Sequence, residues 1–283
     1  MMASLSDEQY QNKFIHSLFT NSDDINNEEE DEDEDSHISQ HKWHCPDTTS
    51  SIIYHLAFLA PGHGDSVWNS SECIAQHLLL PEYRTILFNN TDTHDMNWPP
   101  QYCIEFGAGA ALPSLVLLKE GAKKVVITDR FVNDETFDAL RMSVKTNAKE
   151  WNMSEDRVTI MPHTWGEDVE KLTQQHTNNS NGKEECKADL LVASDCIYNP
   201  TYHTSLLESA CTAMNSKSFF IVGYSLHGNV QSSQILNFFN IAQDEFGLKV
   251  VNEFTKEYDG QHGIGSSDKE RGTVYIKLLR YRN

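Results

Sequence analysis

The stretch Tyr102-Cys-Ile-Glu-Phe-Gly-Ala-Gly-Ala-Ala-Leu-Pro-Ser114, followed by Val125-Val-Ile-Thr-Asp129, decides the fold. An apolar strand runs into an acid and two glycines, a helix follows over roughly 111–120, and a second apolar strand ends in an acid. This strand–turn–helix–strand order is how a parallel α/β sheet builds a ligand crevice at its carboxyl edge. Gly107 and Gly109 let the backbone turn sharply and come close to a ligand, where a Cβ would occupy the ligand's space. The helix that follows points its amino end toward the same crevice.

Two adenosine-bearing cofactors use such a turn, and the details separate them. A dinucleotide site wants a third glycine three residues after the second, for close helix–strand packing under a pyrophosphate. Leu112 stands there, with Pro113 behind it. Glu105, two residues before the first glycine, would repel a pyrophosphate but could receive the ammonium of an amino-acid moiety. The pattern therefore favours S-adenosylmethionine over NAD. Asp129, at the end of the second strand, is placed to accept hydrogen bonds from ribose hydroxyls.

Outward from this pair, strands and helices alternate. A helix is expected over 133–151, where Phe137, Leu140, Val144 and Ala148 share a face. Strands are expected near 157–162, 188–193 and 218–224, helices near 202–214 and 231–246, and two closing strands near 248–254 and 273–279. Upstream, 51–59 reads as a strand or strand pair and 71–80 as a helix stopped by Pro81, while 82–101 reads as a loop-rich lead-in and 174–187 as a polar surface loop. The expected fold class is α/β, a doubly wound, mostly parallel seven-stranded Rossmann-like sheet with an antiparallel edge strand.

Composition sets limits on partners. The 283-residue chain carries a net charge of −20, which opposes binding to nucleic acid or anionic membrane and favours a basic partner. Half of that charge lies before Cys45, where Glu28–Asp35 is an unbroken acidic block. Such density resists packing, so residues 1–50 are expected to form a largely disordered extension and residues 51–283 the catalytic-size domain. The six cysteines show no Cys-x-x-Cys spacing, and the thirteen histidines no His-Glu-x-x-His arrangement, so a metal centre is not expected. With no apolar leader segment and no run near eighteen apolar residues, a cytoplasmic setting is expected. A Gly-x-Ser-x-Gly elbow is absent, which argues against a hydrolase.

Ligands of a doubly wound sheet meet residues just past the strand ends. Besides Glu105, Gly107, Gly109 and Asp129, this selects Trp165, whose indole could cover a purine face, and Ser194-Asp-Cys-Ile-Tyr198. Enzymes that methylate a nucleobase amine usually carry two prolines in the last position, and Asp195-Cys-Ile-Tyr198 has neither. Asp195 and Tyr198 are therefore candidates for orienting some other amine, with Asp195 or solvent taking its proton. A helix N-cap is the plainer role for Asp195.

Gly62-His63 with Val67-Trp-Asn69, Glu105-Phe-Gly-Ala-Gly109 with Leu112-Pro-Ser114, the run 121–129, Trp165-Gly166, Ser194–Tyr198 and Arg271-Gly-Thr-Val274 form an ordered set over about 52–279. Together they resemble the seven-stranded S-adenosylmethionine-dependent methyltransferases that modify lysine or N-terminal amines of proteins, among them the fungal elongation-factor enzymes once described as nicotinamide N-methyltransferase-like. The resemblance implies cofactor contacts at Trp68, Gly107, Ala108, Gly109, Asp129, Trp165 and Ser194, and a protein substrate such as a translation elongation factor; from the charge no nucleic acid or membrane partner is expected, and the chain is expected to be a monomer. One departure is Arg130-Phe-Val-Asn133, where the family leads one to expect an aromatic-Pro-Asp turn. Methylation of a small nitrogen compound such as nicotinamide is the alternative within enzymes. A binding module that keeps the fold without the chemistry is the alternative outside them, and a dehydrogenase is disfavoured by the missing third glycine.

Overall fold

The computed structural model describes residues 38–57, 67–89, 97–174, 186–226, 230–258 and 272–282. A hairpin of β1 (Ile38–His44) and β2 (Ser51–Ala57) leads into helices α1 (Asn69–Leu79) and α2 (Pro81–Asn89). Then come β3 (Tyr102–Phe106), α3 (Leu112–Lys119), β4 (Lys124–Asp129), α4 (Asp134–Trp151), β5 (Val158–Pro162) and a single turn, α5 (Glu170–Thr173). The chain closes with β6 (Leu190–Ser194), α6 (His203–Ala213), β7 (Phe219–Ser225), α7 (Ser232–Asp244), β8 (Leu248–Glu257) and β9 (Thr273–Tyr281).

The sheet has seven strands in the order β5-β4-β3-β6-β7-β9-β8. The first five pair in parallel, and β9 lies antiparallel between β7 and β8, one position in from the edge. From β3 the chain winds outward through β4 and β5, then returns to the other side of β3 to lay down β6 and β7. The order of winding reverses between β3 and β6, and at such a switch point the loops after the two strands part to leave a crevice. Register fixes what faces it, since Glu105 stands beside Val192 and Phe106 beside Ala193.

Period-two burial fills both faces. Cys103, Val125, Ile127, Val192 and Ile221 meet Ile74 and Leu78 of α1, Leu115 of α3 and Leu140 and Val144 of α4. The intervening residues Ile104, Phe106, Val126, Leu191 and Val222 meet Leu206 and Leu207 of α6 and Ile235 and Phe238 of α7. Each large apolar side chain buried this way contributes roughly 1.5–3 kcal/mol.

The folded region begins before residue 51. β1 pairs with β2 throughout, and Trp43 and Cys45 are in the core. The boundary expected at residue 50 therefore falls next to the turn of a hairpin, and only residues 1–37 lie outside the described structure at that end. The opposite edge of β2 is held by α4. Ser143 Oγ accepts from His55 N at 2.7 Å, while Asn147 Oδ1 accepts from Ile53 N at 3.3 Å and its amide donates to Ile53 O. The lead-in expected at 82–101 contains α2, because Pro81 opens that helix as well as ending the one before. Proline's fixed φ and missing N–H suit a first helical position.

Candidate active site

The turn after β3 takes its shape from backbone that most residues avoid. Gly107, Gly109 and Ala111 have φ of 59°, 51° and 55°. Ala111 caps α3, and Pro113 occupies its first turn. At Gly107 a Cβ would stand 2.7 Å from Cys196 Sγ and 3.3 Å from the Trp165 ring, so only hydrogen fits between those side chains. At Gly109 it would meet nothing within 4 Å, which leaves that side of the turn open. Ala108 is buried, and its N–H donates to Thr128 O at 3.0 Å.

The two acids are built into the turn. Glu105 is 1% exposed. Its Oε2 accepts from Ser114 N at 2.9 Å, which satisfies an amide of the α3 N-terminus, and its Oε1 has no partner. Burial pushes the carboxyl up from an ordinary 4.5 to about 8, with nearby Asp129 adding to the rise. Asp129 Oδ2 accepts from Gly109 N at 2.7 Å and Oδ1 from Arg130 N at 2.7 Å. Burial raises its pKa too, against the two amides that favour the charge.

The wall across the crevice is carried by β5, β6 and α6. His163, just past β5, donates its N–H to Asp129 O at 2.8 Å and sets its Nε2 3.0 Å from Ser209 Oγ of α6. Ser209 Oγ also accepts from Gly166 N at 2.8 Å, so both ends of the turn bearing half-buried Trp165 are pinned to one helix. Burial lowers the His163 pKa to about 4.

After β6, Asp195 has φ +50°. For a residue with a Cβ this conformation costs about 1–2 kcal/mol, and four bonds hold it. Asp195 N donates to Gly223 O at 2.8 Å; Oδ1 accepts from Ser225 N at 3.1 Å and Ser225 Oγ at 3.3 Å; Oδ2 accepts from Ser70 Oγ. Asp195 does not cap α6, which follows Asn199 and the short turn Pro200–Tyr202. Cys196 donates its thiol to Phe106 O at 3.2 Å, and burial keeps that thiol protonated. His203 donates from Nε2 to Ile197 O at 2.8 Å. Tyr198 is half-buried, its hydroxyl pushed up to about 12 by burial and by the Cys196 thiol, with Arg130 pulling the other way. It therefore stays a neutral phenol at ordinary pH.

The candidate residues thus converge on one crevice. Glu105, Gly107, Ala108, Gly109 and Asp129 form its floor, Trp165 touches the space above Gly107, and Ser194, Asp195 and Tyr198 border it from β6. Trp68 stands at the N-cap position of α1, two residues before Ser70, whose hydroxyl lies 2.7 Å from Ser194 Oγ. Gly62-His63 and Arg271 lie outside the described residues. Ser70, Ser209 and Ser225 were not singled out from the sequence, and small polar residues in amphipathic segments leave no signal that could have found them; Cys196 stood within the selected Ser194–Tyr198 run without a role of its own.

S-adenosylmethionine fits this cradle. A turn without side chains gives its adenosyl and methionyl parts room, and the unpartnered buried oxygen of Glu105 can take an ammonium. Asp129 keeps lone pairs beyond those given to Gly109 and Arg130. Among the described residues no group of His, Cys, Asp or Glu is placed to hold a metal ion.

A seven-stranded sheet with this strand order, a glycine turn after β3 and an acid after β4 defines the Rossmann-like methyltransferase class. Residues 56–244 match the lysine methyltransferase family, and the chain belongs to it. The protein N-terminal and lysine N-methyltransferase EFM7 of Cryptococcus neoformans is 27% identical over 176 residues, covering 62% of this chain and 52% of the relative. The Kluyveromyces lactis protein of the same name is 24% identical over 243 residues, covering 81% and 80%. The chain thus spans about half the length of the first relative and four-fifths of the second. Among solved structures, a Streptococcus mutans chain described as a SAM-dependent methyltransferase superposes with a TM-score of 0.54 at 10% identity, covering 81% of this chain and 53% of that one. Another, described as a methyltransferase complexed with SAH, gives 0.54 at 9% identity over 81% and 53%. These two likenesses bear on the fold alone.

Proposed function

We propose that this chain transfers a methyl group from S-adenosylmethionine to a protein amine, either a lysine side chain or an N-terminal amine. The observation that carries the reading is the shared wall at Gly107, where the Cys196 thiol of the Asp195–Tyr198 loop fills the space beneath the cofactor turn. Floor and amine loop are then one rigid body, as an in-line transfer needs. Positioning of that kind can account for most of the acceleration in a displacement that requires no covalent enzyme intermediate.

Bound, S-adenosylmethionine supplies a methyl on a positively charged sulfur. The remaining work falls to the chain. Asp195 and Tyr198 orient the amine, and Asp195 or solvent takes the proton it must lose before its lone pair can attack. As the new nitrogen–carbon bond forms the carbon–sulfur bond breaks, and S-adenosylhomocysteine leaves. Trp165 covers the cofactor and Trp68 closes the crevice from α1. The names of the EFM7 relatives support a protein substrate, and the resemblance seen in the sequence suggests a translation elongation factor. A cytoplasmic monomer is the setting we infer, and no helix among the described residues is long and apolar enough to cross a membrane.

Incubation of purified protein with methyl-labelled S-adenosylmethionine, and either cell lysate or nicotinamide, tests this directly. Label in a protein band supports the reading, and label in nicotinamide alone overturns it. Asp195→Asn keeps a side chain that tolerates left-handed backbone. It should lower turnover by about 100-fold, in the range of a lost proton-handling group, with S-adenosylhomocysteine binding retained.

A further inference from the structure

Ser70 lies in the first turn of α1 and is completely buried. Its hydroxyl is 2.7 Å from Ser194 Oγ and also bonds Asp195 Oδ2. A hydroxyl has one proton to give, and an ionised carboxylate only accepts. Ser70 therefore donates to Asp195, and the hydrogen between the two serines comes from Ser194. The bonds form a directed chain, from Ser194 through Ser70 to Asp195. The Ser194 proton being committed, its oxygen meets any ligand only as an acceptor, which suits an ammonium or a ribose hydroxyl.

Ser70 is packed tightly against the sheet. α1 crosses β7 at Gly223, where an added Cβ would stand 3.3 Å from Ser70 Cβ and 2.7 Å from Ile74 Cδ1. The hydroxyl is thus delivered by a helix clamped on the sheet, two residues after Trp68. At the other end of the bond sits a residue in left-handed backbone whose second carboxylate oxygen is already fixed by Ser225.

We infer that Ser70 is a positioning residue of this site, coupling the cofactor side of the crevice at Trp68 and Ser194 to the amine side at Asp195. The inference rests on the methyl-transfer reading. Without the Ser70 hydroxyl, Asp195 loses a partner at Oδ2 and the amine loop its link to α1.

The test uses the full chain and four proteins: wild type, Ser70→Ala, Ser70→Cys, and Ser143→Ala as a buried serine that serves the remote hairpin. Each is assayed for kcat and KM on the methylated protein, for S-adenosylhomocysteine affinity and for thermal midpoint. Cysteine is close to serine in shape but a weak donor, so it keeps a side chain in the site and weakens the bond. Ser70→Ala and Ser70→Cys should each lower kcat at least about tenfold while S-adenosylhomocysteine affinity stays within about threefold, as a misplaced reacting group would. Ser143→Ala should lose thermal stability and keep kcat within about twofold of wild type. Wild-type kcat in Ser70→Cys, or losses in the Ser70 variants no larger than in Ser143→Ala, would overturn the inference. Should Ser70→Ala fail to fold, Ser70→Cys decides alone. A wild-type protein that methylates nothing defeats the functional reading, whereas active wild type with unaffected Ser70 variants defeats only this one.

Discussion

At Gly107 one hydrogen atom separates the turn after β3 from the loop after β6. Gly107→Ala would place a methyl 2.7 Å from Cys196 Sγ in backbone at φ +59°. The conformation alone should cost about 1–2 kcal/mol, and the displaced thiol should push the loop away, so S-adenosylhomocysteine affinity should fall more steeply than thermal stability. Titration calorimetry beside a melting curve checks the ratio. Glu105 allows a test by pH. Its carboxyl is raised from 4.5 to about 8, so the folded protein holds a proton the unfolded chain has released. The stability attached to that proton is complete below pH 4.5 and is lost as pH rises through about 8. An ammonium at Oε1 wants the carboxylate, so cofactor affinity should rise about tenfold per pH unit up to that pKa and level off above it. Glu105→Gln should remove both dependences, and an unchanged binding profile in that variant would move the ammonium elsewhere. Glu105, Gly107, Gly109 and Asp129 could be selected from the sequence because a turn this tight restricts residue type. Ser70 could not, since a small side chain in an apolar segment reads as packing, and although Cys196 stands in the selected Ser194–Tyr198 run, nothing local marks its thiol as the neighbour of Gly107.

α4 does two jobs. One face of the helix packs on the sheet, while Ser143 and Asn147 pair with the backbone of β2. Asn147→Ala would leave the N–H and C=O of Ile53 without those partners, and unsatisfied buried backbone costs about 1–3 kcal/mol per group. The hairpin should then detach while the seven strands stay folded. Limited proteolysis should cut first within residues 38–57, and the thermal midpoint of the remainder should drop little. A cooperative loss of the whole sheet would show instead that the hairpin belongs to the central folding unit. The sequence left this hairpin half visible. β2 carries apolar residues that signal a strand, but Ile38-Ser-Gln-His-Lys-Trp-His44 is mostly polar because it lies on the outer side and is held chiefly by backbone pairing. α2 was hidden for another reason, since Pro81 serves as both the stop of one helix and the start of the next. The central strands and the helices between them were legible because burial on both faces demands long apolar runs. The place of β9 was not, because strand order depends on tertiary winding and has no local code.

Charge acts at the scale of the molecule. The chain carries 42 acidic residues against 22 lysines and arginines, and among the first 37 residues there are twelve acids and one lysine. A cationic group approaching the chain thus moves toward a negative field. Fields of this kind act on encounter more than on the final contacts, and salt screens them within about 8 Å at physiological ionic strength. KM for a basic protein substrate should therefore rise with salt while kcat stays level. A chain beginning at residue 38 keeps the hairpin and every residue named in the crevice. It should bind S-adenosylhomocysteine as the full chain does and retain kcat, but show a higher KM and a shallower salt dependence. Steady-state kinetics on both chains over a range of sodium chloride concentrations measures this. Equal KM and equal salt slopes would relieve the acidic segment of any part in substrate capture and leave the folded surface as the source of the attraction.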